Sequence, residues 1–395
     1  MEDLIRRYAQ LIIQSQLKLR PGDSVSINTE AAIMGFARYL AKEATMVTGQ
    51  TVTIVETNHG KVIEAIPIEP EQQEIFRPPV QAVVMCHLFD LDASPYLQDL
   101  DLGKAVEDVG LLARFGHLSE PVFLDRRIAV AWANVPYPGN QWAANVLGRN
   151  ASEEETWLLF GALFRLDSDW ASSFWDEQAN LLEYRKQRLN ALGRVDIKLI
   201  GDGWECRGSS ADDTQWAGGR QMLKNGRIFS PMLPMQSIHV PLDATSTQGT
   251  LRSSRPFYVL GKEVIGATFT IRDGKVTHFE AEQGKEALAA FFSIDEGAAR
   301  VAELSLADND TIESRYLGRS VHAHFAKEMT TTLVLGGFSL DTLKTQQTED
   351  DIVQSKLNQS LVRLEIPVGD DHLSVVLTKK DGEELEVVTE GVHRN

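Results

Sequence analysis

The sequence predicts two joined folds. Residues 1–192 read as an α/β domain with a mostly parallel sheet, ending in a long connector helix. Residues 193–395 read as an α+β, mostly antiparallel domain. Three observations lead there. At 395 residues the chain exceeds what one core normally holds. Its first half alternates short apolar runs with helix-period stretches, as βαβ units do. Beyond about residue 193, hairpin signals replace that alternation.

Each element has a local reason. Leu4, Ile5, Tyr8, Leu11, Ile12 and Ser15 recur at helical spacing over residues 3–16, and Pro21-Gly22-Asp23 is a turn. Residues 24–28 alternate like a strand, 31–47 form a second helix and 51–55 a second strand. Residues 81–86 are an apolar run suited to a buried strand, 103–115 are helical, and 127–132 are a strand. Val135-Pro-Tyr-Pro-Gly139 breaks the pattern before helical stretches at 141–148, 153–165 and 169–192. In the second half, 195–200 is a strand and Gly201-Asp-Gly203 a turn. Residues 269–279 form a hairpin with Asp273-Gly274 at its tip, and 377–387 form another. Between them, 284–305 read as one helix, with Leu288, Phe291, Phe292, Ala298 and Val301 apolar.

Composition narrows the function classes. A formal charge of −17 argues against nucleic acid or anionic lipid as the main partner. No apolar run reaches the length that spans a membrane. The N-terminus lacks the regions of a signal peptide, so a cytoplasmic protein with Cys86 and Cys206 reduced is expected. Phosphate-binding glycine loops are absent, so the alternating first half is no sign of a nucleotide. His87 precedes Asp90 and Asp92 at the end of a buried run. That is a ligand-binding place in α/β sheets, but a capping or surface role is the expectation.

The segment Asn358-Gln-Ser-Leu-Val-Arg-Leu-Glu-Ile-Pro-Val-Gly369 resembles one from the thermophilic metalloaminopeptidases, the aminopeptidase T and aminopeptidase S family. There, an Asn-x-Ser-x-x-His-x-Asp run gives its His and Asp to metals. Here those places hold Arg363 and Glu365. The likeness spans nearly the whole chain. It includes Tyr8-Ala9 before Pro21-Gly22-Asp23, Tyr137-Pro138 with Trp142-Ala143, Asp196 to Trp204, and Gly284 through Asp295-Glu296-Gly297 to Glu303.

The resemblance implies a metal-dependent aminopeptidase with a leucyl-type preference, assembled as a homodimer and acting on peptides. Its site seats two divalent ions among three Glu, two His and one Asp, because anionic oxygens and imidazole nitrogens donate lone pairs that let two cations share a water. Carried onto this chain, Glu303 is kept, Glu365 is a conservative change, and Glu328 is reached by a one-residue slip. Ser237, Thr332 and Arg363 replace the others. The family tyrosine falls near Phe338 and Ser339. Arginine has no acceptor, so Arg363 is expected to pair with Glu303 or Glu365 in a salt-bridge network instead. Three functions follow: an aminopeptidase using zinc, cobalt or manganese; a non-catalytic relative that keeps the fold for binding or assembly and needs no cofactor; and a relocated site in which His239, His322 and His324, with Glu303, Glu328 or Glu365, bind one zinc or iron ion.

Overall fold

Strands Val25–Glu30, Thr53–Thr57, Val84–Asp90 and Ala131–Tyr137 form a parallel sheet in the order second, first, third, fourth. The computed structural model describes residues 1–57, 84–92, 101–119, 130–316, 322, 325–344 and 355–394. Contacts gather the chain into two units. One comprises Met1–Ser94, Asp125–Leu181 and Gly219–Met235; the other comprises Pro95–Leu124, Leu182–Gly218 and Gln236–Asn395. Among the described residues no helix is long and apolar enough to cross a membrane.

In the first unit, helices Glu2–Leu11 and Glu153–Phe164 supply an aromatic core. Tyr8 stacks on Phe36 at 5.6 Å and meets Phe160 and Phe164 edge-on at 4.9 and 5.3 Å. Its buried hydroxyl donates to the Pro136 carbonyl at 2.6 Å. Asp92 does cap a helix, as expected. Its carboxylate accepts from the Gln141 and Trp142 amides at the start of Asn140–Leu147. Gly139 must be glycine there, since an added Cβ would lie 2.0 Å from the Asp92 carboxyl carbon.

The Gly219–Met235 segment returns to this unit through a buried ion pair. Arg227 donates to both Asp23 oxygens at 2.8 Å and to the Leu17 and Lys18 carbonyls. Burial would raise the Asp23 carboxyl, but Arg227 and the Arg20 amide hold it below its ordinary value.

The second unit holds an eight-stranded sheet and a four-stranded sheet. The hairpins Thr268–Arg272/Lys275–Glu280 and Ser374–Thr378/Glu384–Thr389 are antiparallel parts of the larger one, where the sequence places them. The smaller sheet is antiparallel, in the order Arg363–Pro367, Thr332–Gly336, Val301–Leu306, Ile238–Pro241.

Four expectations are corrected. The helix expected over 284–305 stops at Phe292; its last part is the Val301–Leu306 strand, buried at every position. A short, wholly buried strand carries no period to distinguish it from helix. The strand expected at 81–86 is described as Val84–Asp90, so His87 lies inside it rather than after it; residues 81–83 lie outside the described residues. The break at Val135 comes later, since Ala131–Tyr137 tolerates Pro136 as an edge strand; residues 127–129 lie outside the described residues. The helix at 103–115 is two, Leu102–Ala105 and Val109–Arg114, because Asp108 caps a fresh start. Cys86 and Cys206 are buried and unbridged, as expected; burial raises both thiols, that of Cys206 to about 12.

Removing one partner of a buried pair costs about 3–5 kcal/mol. Arg227→Ala is therefore expected to lower the unfolding midpoint by that order, read by denaturant titration. A shift within a few tenths of a kcal/mol would show that the pair does not anchor the segment.

Candidate functional site

The four-stranded sheet sets its side chains in rows. Paired residues across strands share a face, and so do residues two apart. One row runs Pro241, Glu303, Val334, Glu365, and the next runs His239, Ser305, Thr332, Pro367. The same parity brings Arg363 to this face. A core sheet face is ordinarily apolar; this one concentrates charge.

Arg363 lies at its centre. One terminal nitrogen donates to Glu303 Oε1 at 2.7 Å and to Glu365 Oε1 at 3.0 Å, while Nε donates to Glu365 at 3.1 Å. The three side chains are 11%, 0% and 13% exposed. Glu303 also accepts from the Ser339 amide at 2.6 Å and its hydroxyl at 3.2 Å. Burial would raise this carboxyl, but Arg363, His239 and Lys327 bring it down to about 2. The salt-bridge network expected for Arg363 is thus present, to both carboxylates.

Glu328 and Ser237 meet directly. The Ser237 hydroxyl donates to Glu328 at 2.8 Å, and the Gln236 and Ser237 amides reach its other oxygen at 2.6 and 2.9 Å. The Gln236 side chain turns to Glu313 instead, at 3.0 Å. Thr332 is fully buried.

Of the histidine set, the structure describes His239 and His322. His239 binds Asp341 through Nε2 at 2.9 Å, and His322 is buried with its ring 6.0 Å from Phe325. Burial lowers the His322 imidazole to about 4. His324 lies outside the described residues. Among the described residues, no three His, Cys, Asp or Glu side chains are grouped to hold a metal ion. His87, at the first unit's sheet, faces Asn28 at 3.2 Å.

Three residues that contact this face or its strands escape a reading of the sequence. Lys327 is half-buried; its amide donates to Glu365 at 3.1 Å, and Glu328, Glu365 and Glu303 raise its ammonium against burial. Burial would raise Asp341, but His239 and Lys327 push it well below the carboxylate range. His117 holds the Arg363 strand. Its carbonyl accepts the Arg363 amide at 2.7 Å, Nδ1 lies 3.2 Å from the Arg363 carbonyl, and Nε2 accepts the Leu260 amide at 3.0 Å. Burial brings this imidazole down to about 4, so it is neutral there. A charge beside Glu328 was the only available signal for Lys327; Asp341 and His117 had none.

Asn358 and Ser360 explain their own motif. Asn358 donates to the Gly297 and Gly336 carbonyls at 2.9 and 2.7 Å, and the Ser360 hydroxyl donates to Asp295 at 2.9 Å. The loop leading to Arg363 is thereby fixed. Gly336, at φ +89°, approaches it so closely that a Cβ would sit 2.0 Å from the Val362 carbonyl.

A family model described as thermophilic metalloprotease (M29) matches residues 1–393. Aminopeptidase 2 of Geobacillus stearothermophilus is 24% identical, covering 99% of this chain and 97% of its own. Aminopeptidase T of Thermus thermophilus is 23% identical, covering 98% and 97%. The solved structure of wild-type AmpT from Thermus thermophilus shares the fold. Its TM-score is 0.81 at 20% identity, covering 100% of this chain and 99% of that one.

Because Glu303 titrates at about 2 when folded and near 4.5 otherwise, its stabilisation is complete above pH 4.5 and lost as pH falls toward 2. Arg363→Ala leaves that carboxylate buried without its main partner, at a cost of about 3–5 kcal/mol near pH 7. The gap between wild type and variant is expected to narrow as pH drops from 4.5, measured by denaturant titration at several pH values. A gap independent of pH would refute the pairing as its source.

Proposed function

The chain belongs to the thermophilic metalloprotease family M29, and from that premise we propose that it binds peptides without metal-dependent hydrolysis. The ligand class follows the relatives, which are named aminopeptidases. The ligand face is the polar sheet face around Arg363.

One observation carries the departure from hydrolysis: the Arg363 nitrogen 2.7 Å from Glu303 and 3.0 Å from Glu365. Two divalent ions need more lone pairs than Glu303, Glu328 and Glu365 can free for them. A guanidinium has donors only. Ser237 and Thr332 bring hydroxyls where carboxylate and imidazole are required. Both Glu328 oxygens already accept protein hydrogen bonds. Two cations side by side need several free carboxylates to offset their repulsion. Arg363 and Lys327 supply the positive charge from the protein itself, so Glu303, Glu328 and Glu365 work as their counter-charges rather than as metal ligands. The residues present do not fit a di-metal centre.

A second reading, a metal-dependent aminopeptidase using zinc, cobalt or manganese, draws on the full-length likeness to proteins of that name. The two separate in one experiment. Purified protein is analysed for bound metal, then incubated with L-leucine amide and added zinc, cobalt or manganese. We expect substoichiometric metal and no hydrolysis above the buffer rate. Stoichiometric metal together with hydrolysis abolished by Glu303→Gln would overturn the proposal and establish the aminopeptidase.

A further inference from the structure

Hydrogen bonds on the Arg363 face are unevenly shared. Each carboxylate there is supplied with donors. Glu303 has Arg363 and Ser339, Glu365 has Arg363 and the Lys327 amide, Glu328 has Ser237 and Gln236, and Asp341 has His239. The unused capacity lies with groups that can donate. Among the described residues, Ser305 Oγ, Thr332 Oγ1 and His239 Nδ1 have no partner, although their side chains share one cross-strand row and are 0%, 0% and 2% exposed. The Lys327 ammonium, which feels the charges of Glu328, Glu365 and Glu303, donates to no described residue.

A buried hydroxyl left unpaired costs about 1–3 kcal/mol, so Ser305 and Thr332 side by side in one row are a deficit that a bound acceptor would remove, and His239 Nδ1 adds a third donor when the ring is protonated. We propose that the row His239–Ser305–Thr332, with Lys327, is a subsite for an acceptor oxygen of a peptide, its carbonyl or its terminal carboxylate. This rests on the peptide-binding reading above and names which atom of the ligand the face recognises.

Charge sets the limits of the ligand. Glu303, Glu328, Glu365 and Asp341 carry four negative charges against two on Arg363 and Lys327, with a third when His239 is protonated. A dianion such as phosphate is therefore repelled most, a single carboxylate is repelled less, and a neutral carbonyl is not repelled. Asp341 holds the His239 ring through Nε2 and, with Glu303, raises it against burial, which favours a second proton on Nδ1. The hydroxyls and the ammonium donate regardless of that proton.

The test measures trileucine, L-leucine and L-leucine amide binding by calorimetry, to wild type and to Thr332→Val, Ser305→Ala and Lys327→Met. Thr332→Val keeps the shape and removes only the hydroxyl. We expect each variant to weaken trileucine at least tenfold. We also expect Thr332→Val, without ligand, to unfold at a higher temperature than wild type, because an unpaired hydroxyl is gone. Tighter binding of leucine than of its amide identifies the carboxylate; equal binding identifies the carbonyl. Trileucine bound equally by wild type and all variants would overturn the subsite while keeping a peptide-binding protein. No binding of any of the three compounds would overturn both. A lower midpoint for Thr332→Val would mean that bound water already satisfies the hydroxyl, and would also count against the subsite.

Discussion

A guanidinium buried between two carboxylates is the constraint on which the second unit depends. Arg363, 11% exposed, lies 2.7 Å from a Glu303 that is wholly inside the sheet. Neither charge tolerates burial alone. Each therefore fixes the other, and the surrounding elements are arranged to hold both. His117 clamps the Arg363 backbone, Ser339 completes Glu303, and the Lys327 amide completes Glu365. The loop before Arg363 is pinned by Asn358 and Ser360.

The same arrangement decides what chemistry the face supports. Close spacing of carboxylates demands cations, and the demand can be met by metal ions or by side chains. Here Arg363 and Lys327 bring positive charge that is covalently part of the chain. In the reading proposed above, hydrogen-bond donation from Ser305, Thr332 and Lys327 suits recognition of an oxygen. A fold and a reaction rest on different features: the fold on apolar rows and glycine contacts, a metal-dependent reaction on a few lone pairs.

Much of the scaffold was legible in the chain. Asp273-Gly274 specified its hairpin because few residues adopt the backbone of such a turn. The alternation of the first half anticipated the parallel sheet. Val301–Leu306 was not legible as a strand, because a segment buried on both faces loses the alternation that marks one. Lys327, Asp341 and His117 were not legible either. Each matters through a partner far along the chain, and no local spacing encodes that distance.

By itself, then, the sequence determined the fold class, and it determined that Arg363 has no lone pair to give a metal; both follow from residue chemistry and short-range periodicity. Only the tertiary structure decided that Arg363 bridges Glu303 and Glu365 together, that Ser237 answers Glu328, and that Ser305, Thr332 and His239 share one row with donors to spare. Those facts depend on strand register, which is fixed by packing across the whole sheet rather than by any one segment.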